Sequence, residues 1–253
     1  QEPPYGLKKG PIPVIFLAFV RTHQDEIGFY EDGVYVPDVT IEVVERLLAR
    51  PETFEVQSYE LEKQQRKVLG ALSEKVVSPR SGERLEAELL PIVRSLVRQA
   101  ADLNEFTRNT DRIDPPEALD VRDALLDATS PLDLLFEDLP NALGVRLGEP
   151  EDVEEFADKL RDCMVAIHRV YPALLDQIET ALRNAFDLPD GPAVRAVSSL
   201  KRRAQPLVDY ALEHKLQVFV REAARMGNQR DWREVLGRVV QGGMPPRAWS
   251  DKD

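Results

Sequence analysis

Apolar and polar positions follow two different rhythms along this chain. Apolar residues are nearly continuous from Ile12 to Val20, prolines 11 and 13 open the run, and polar residues 22–26 close it. That pattern predicts a helix over residues 12–27, stopped at Gly28. Phe29 and Tyr30, then Val34, Tyr35 and Val36, flank Glu31-Asp32-Gly33. Asp-Gly between aromatic and β-branched residues predicts a β-hairpin, which Pro37 ends. Thr40 then caps a second helix over residues 42–49, with Val43, Val44, Leu47 and Leu48 at helical spacing before Pro51. Phe54, Val56 and Tyr59 alternate as a short strand.

From residue 60 to about residue 249 the spacing is helical throughout, punctuated by proline and glycine. Residues 61–77 form one predicted helix. A second runs over residues 83–107, with Leu85, Leu89, Ile92, Leu96, Val97 and Leu103 in one stripe. Pro91 falls inside it and demands a kink or a later start. Further helices are predicted over 117–128, 132–139, 149–186 across Pro172, 193–212, 215–226 and 231–240, the last stopped by Gly242-Gly243. No repeat recurs at a fixed period, which disfavours a solenoid. The expected architecture is mainly α: an irregular bundle of about seven or eight helices over residues 61–253. Before it, residues 1–60 form a small winged-helix-like α+β subdomain containing the β-hairpin. Its order departs from a standard winged helix, because the hairpin lies between the helices.

The longest apolar run spans about nine residues, against the roughly 20 that a membrane crossing needs. A single cysteine, Cys163, excludes a disulfide framework and favours a reducing, cytoplasmic setting. With three histidines scattered singly, no metal-ligand set is expected. The chain opens at Gln1 with Pro3-Pro4 and ends at Asp253, and so reads as a piece of a larger polypeptide.

Charge divides the chain again. Of the net −12, residues 102–159 hold 17 acids against 5 bases, while residues 195–238 hold 10 bases against 5 acids. The basic stretch offers phosphate contacts through Arg195, Lys201, Arg202, Arg203, Arg230 and Arg233, with Lys201-Arg202-Arg203 the densest cluster. The competing expectation is that these are solvated helix faces, since Asp209, Glu213 and Glu222 interrupt the run. Residues 1–57 carry 5 bases against 10 acids, which argues against DNA binding by the winged-helix-like part.

Catalytic signatures are sparse. His23 beside Asp25 and Glu26 reads as a histidine at a helix C-terminus. Cys163 and His168 are five residues apart, about 500° of helical rotation, and do not form a thiol–imidazole pair. Carboxylate pairs such as Glu154-Glu155 or Asp120 with Asp123 read as surface acids. There is no G-x-x-x-x-G-K-S/T, G-x-G-x-x-G or G-x-S-x-G. No cofactor is expected.

Three phrases carry a family likeness: Pro3-Pro4-Tyr5-Gly6-Leu7, Leu134-Leu135-Phe136-Glu137-Asp138-Leu139-Pro140, and Met244-Pro245-Pro246-Arg247-Ala248-Trp249-Ser250-Asp251. The chain resembles a C-terminal region of very large bacterial multidomain ATP-binding proteins, including those of phage-defence loci of the BREX type. The resemblance implies a non-catalytic helical region downstream of an NTPase core and assigns a role to no individual residue. Tyr5 and Trp249, rings in proline-rich segments, are expected to fasten the two ends of the chain or to contact a neighbouring domain or protein. The expected function is therefore an interaction or scaffolding module, and the alternative is a module that contacts nucleic acid through the basic stretch.

Overall fold

The computed structural model describes residues 11–75, 86–210, 213–227 and 231–252. The fold is mainly helical with one three-stranded antiparallel sheet. Two compact units emerge: residues 11–102 with 115–165, and residues 103–114 with 166–252. The 36-residue helix Pro150–Ala185 serves both, the first unit to Val165 and the second from Ala166.

In the first unit, α1 (Ile12–Thr22) is followed by β1 (Ile27–Glu31) and β2 (Val34–Tyr35), then α2 (Ile41–Ala49) and β3 (Phe54–Ser58). The first helix is shorter than its apolar pattern predicts, and Ile27 and Gly28 belong to β1. Strand β1 lies in the middle, pairing Tyr30 with Tyr35 on one side and Phe29 with Val56 on the other. The hairpin forms where Asp-Gly predicts it. Asp32 and Gly33 both have positive φ (50° and 79°), the geometry of a type I′ turn. Thr40 caps α2 by accepting from the Val43 amide.

The pleat of β1 sends its side chains to two different surroundings. Phe29 packs with Val20, Val43, Leu47 and Phe54 under the two helices, its ring stacked 5.2 Å from that of Phe54. Gly28 and Tyr30 face the other way, where the Tyr30 and Tyr59 hydroxyls are hydrogen-bonded. A Cβ on Gly28 would overlap the Tyr59 hydroxyl and stand 2.9 Å from its Cζ, so glycine here makes room for a ring.

Helix α3 (Lys63–Lys75) precedes α4 (Leu89–Ala101), whose Leu89, Ile92, Val93, Leu96 and Ala100 are buried at i, i+3, i+4 spacing. The expected helix over 83–107 is corrected. Residues 83–85 lie outside the described part, and α4 starts at Leu89, which puts Pro91 in the first turn where its missing amide hydrogen costs no intrahelical bond. The chain breaks after Ala101, and Asn104 caps a separate helix, α5 (Glu105–Asn109), accepting from the Thr107 amide at 3.0 Å. α4 also mounts the small sheet. Arg94 donates to the Pro37 carbonyl, the Gln24 carbonyl and the Asp25 carboxylate, and one turn on Arg98 makes a two-pronged pair with Asp38.

Helix α6 (Glu117–Leu126) buries Ala118, Val121 and Leu125. The helical segment that follows starts at α7 (Pro131–Asp133), widens to a π turn over Leu134–Asp138 and continues as α8 (Leu139–Ala142). Pro140 was expected to end it. Instead the wider π turn precedes the proline and the helix runs on through Ala142. Helix α9 (Pro150–Ala185) continues through Pro172, as its pattern predicts.

The second unit is built on the C-terminal half of α9, with α10 (Ala193–Ala204), α11 (His214–Arg225) and α12 (Trp232–Val240). Leu175, Ile178 and Leu182 of α9 meet Ala196 and Leu200 of α10, Phe219 and Ala223 of α11, and Trp232 and Leu236 of α12. α10 ends earlier than predicted, at Ala204, where Gln205-Pro206-Leu207 tightens into a 3₁₀ turn. After α12, residues 244–252 return across this unit. Pro246 and Trp249 lie against Gly237, and Asp251 accepts from the Thr110 hydroxyl and, at 2.8 Å, from the Asp111 amide.

Candidate functional site

The predicted phosphate-binding cations separate into two groups. Arg195 and Arg202 are exposed, seven residues and so two turns apart on one face of α10. Lys201, Arg203 and Arg233 are instead engaged by partners within the second unit. Lys201 donates to the Met226 carbonyl at 3.2 Å, at the end of α11, and Arg203 donates to the carbonyls of Phe186 (2.5 Å) and Asp187 (3.2 Å), just past the end of α9. Cations at helix C-termini satisfy carbonyls that have no partner within the helix. Arg233 pairs with Asp231 at 2.7 Å and with Asp176 at 2.8 Å, and Asp231 also caps α12 by accepting from the Arg233 amide. Those hydrogen bonds from Arg233 hold the Asp231 carboxyl below the usual range. Arg230 lies outside the described residues, as does Tyr5. Trp249 is half-buried: its ring packs on the second unit's core and its indole N–H donates to the Met244 carbonyl at 2.9 Å.

The histidine and cysteine chemistry does not assemble. His23 Nδ1 lies 2.9 Å from Glu26 Oε2 at the surface, and His168 is exposed on α9. Cys163 is buried, and that burial pushes its thiol up to about 11, away from a reactive thiolate. Of the acids considered, Asp123 accepts from Arg122 at 2.8 Å, while Glu154 binds Lys75 at 2.6 Å. Among the described residues no three metal-ligating side chains gather, and no helix is long and apolar enough to cross a membrane.

Two surfaces escaped the sequence reading. The first is the outer side of α1. Phe16, Leu17 and Val20 pack inward, yet Ile12, Val14, Ile15 and Phe19 are 42–58% exposed. Ile12, Ile15 and Phe19 stand at i, i+3 and i+7, one ridge without a charge. Arg21 is the one charged residue in the helix. The signal was available: a surface helix should be polar on one side, and this one is apolar all round.

The second is a cleft of about 530 Å³ between α11 and α12, lined by His214, Lys215, Val218, Glu222, Arg238 and Val239, with Gly242 and Gly243 at its edge. Lys215 and Arg238 lie 23 residues apart in sequence on different helices, so no local motif announces them.

The chain was compared with known protein families, characterised proteins and solved structures, and none matches.

Proposed function

We propose that this chain is a non-catalytic interaction module of a larger bacterial NTP-binding protein, and that it docks through the outer ridge of α1 onto an apolar helix of another domain or of a partner protein. The observation that carries the reading is α1 itself, apolar on the side turned to solvent as well as on the side turned to the sheet. A charge-free ridge at helical spacing fits between the ridges of a second helix and offers nothing to a phosphate backbone. On this reading residues 1–60 act as a winged-helix-like docking unit, since such small folds serve as docking modules as well as DNA readers, and an acidic balance suits the former. The likeness of residues 134–140 and 244–251 to large ATP-binding proteins of phage-defence loci supports the choice of parent. A buried, single Cys163 suits a cytoplasmic setting.

The test uses that cysteine as a silent background. In an Ile15→Cys variant the new thiol is the reactive one, and it should be alkylated rapidly in the isolated chain and far more slowly in the intact parent protein inside cells. Equal rates in the two settings would remove the basis for docking through α1. The alternative, nucleic-acid contact through the basic stretch, loses Lys201, Arg203 and Arg233 to internal partners and retains Arg195 and Arg202 among the residues first considered.

A further inference from the structure

The geometry points to the cleft between α11 and α12 as a binding site for a small organic phosphate monoester, its phosphate at Lys215, Arg238 and His214 and its apolar body on Val218 and Val239. A volume of about 530 Å³ lies within the range of small-molecule sites. The lining divides as such sites do, with two valines as an apolar floor and a few polar groups to orient the ligand.

The sign of the site follows from its side chains. The first turn of α11 and the last turn of α12 both border the cleft, so their opposed dipole ends largely cancel. Lys215 and Arg238 are exposed, and neither forms an ion pair among the described residues. This sets them apart from Lys201, Arg203 and Arg233 of the same unit, whose donors are spent on carbonyls and carboxylates. Glu222 is the one acid in the lining. Two fixed cations and a histidine against one carboxylate leave the cleft positive within a chain of net charge −12.

A phosphate monoester matches this set better than a carboxylate does. It carries about −1.5 to −2 at neutral pH and presents three acceptor oxygens, one for each of the three donor side chains. A phosphodiester backbone would instead need cations strung along a groove, and the exposed pair Arg195 and Arg202 lies on α10, which contributes no residue to the cleft.

Phenyl phosphate, inorganic phosphate, phenol and an oligothymidylate serve as probes for isothermal titration calorimetry on the whole chain at low salt. Phenyl phosphate should bind more tightly than either of its halves, and Lys215→Glu or Arg238→Glu should each weaken it about tenfold or more, a loss of about 1.4 kcal/mol. Arg202→Glu, outside the cleft, should leave its binding unchanged. Lys215 and Arg238 are exposed, so the folded helical circular dichroism spectrum is expected to survive both substitutions, and a Lys215→Arg variant that retains binding guards against a merely structural effect. No measurable binding of phenyl phosphate overturns the proposal. So does a loss of equal size on Arg202→Glu, or binding of the oligonucleotide alone with no response to Lys215→Glu.

Discussion

Gly237 and Gly70 both sit inside helices, and replacing each with alanine should have different effects on stability. Alanine is favoured over glycine in a helix interior by about 1 kcal/mol. At Gly70, in α3, an added Cβ meets nothing within 4 Å, so the full gain of about 1 kcal/mol is expected. At Gly237 the same Cβ would lie 2.8 Å from Pro246 Cγ, 3.4 Å from Ile178 Cδ1 and 3.5 Å from the Trp249 ring. A proline ring cannot swing aside, so the segment that carries it must shift, at the cost of roughly 1–3 kcal/mol typical of overpacking. Set against the propensity gain, Gly237→Ala should be neutral to about 2 kcal/mol destabilising. Relative to Gly70→Ala the gap is about 1–3 kcal/mol. Urea denaturation resolves it, because Trp232 and Trp249 both lie in the second unit and report it by fluorescence, while far-UV circular dichroism follows the helices of both. Pro246→Ala removes the clashing Cγ, so in the double variant the penalty should shrink by about 1 kcal/mol or more, a coupling read from the double-mutant cycle. The packing argument fails if Gly237→Ala stabilises as much as Gly70→Ala, or if Pro246→Ala gives no relief.

Three further outcomes follow from the packing and the electrostatics. Gly28→Ala should destabilise the first unit by about 2 kcal/mol or more, and Tyr59→Phe, which removes the overlapping hydroxyl, should recover part of the loss in thermal melts followed by circular dichroism. Cys163, with its thiol raised to about 11, adds stability that is complete below the ordinary thiol range and is lost as pH rises through that value. In native buffer at neutral pH a disulfide reagent should therefore leave it untouched and should react stoichiometrically once urea unfolds the chain; rapid native labelling would contradict its burial. Asp231→Ala, which loses the α12 cap, should cost about 1–2 kcal/mol and Asp231→Asn less, because an amide oxygen still accepts. Since the Asp231 carboxyl titrates below its ordinary value of 3.8, the stability it adds is present above that value and is lost as pH falls through the folded value. The Asn variant should flatten that part of the acid unfolding curve, and an unchanged curve would show that the pair contributes nothing.

What could be read from the sequence was local. The hairpin was legible because Asp32-Gly33 suits positive φ at both turn positions, and the long α9 was legible because its apolar stripe continues past Pro172. Pro91 left two readings open, a kink or a later start, and packing of Leu89 and Leu90 in the core selects the second. Which cations of the basic stretch have internal partners was not legible, for a physical reason. Charge density along a chain does not show where the helices around it end, and Lys201 and Arg203 find carbonyls that lie 25 and 16–17 residues away in sequence. Lys215 and Arg238 were hidden for the same reason, since only the packing of α11 beside α12 makes them neighbours of one cleft. The open ridge of α1 is different: its composition announces it, because one short helix that is apolar all round cannot bury both sides against a single sheet.

The return of residues 244–252 across the second unit bears on the order in which this protein can be made. A chain leaving the ribosome exposes residues 103–114 long before the residues that hold them, because Thr110 and Asp111 are anchored by Asp251. The first unit can close once residue 165 has emerged, whereas the second must keep its early piece waiting for some 140 residues of further synthesis. During that interval the second unit is the part that needs protection, and a stalled or shortened transcript that omits Trp249 to Asp251 should yield a protein with one finished half and one unlatched half.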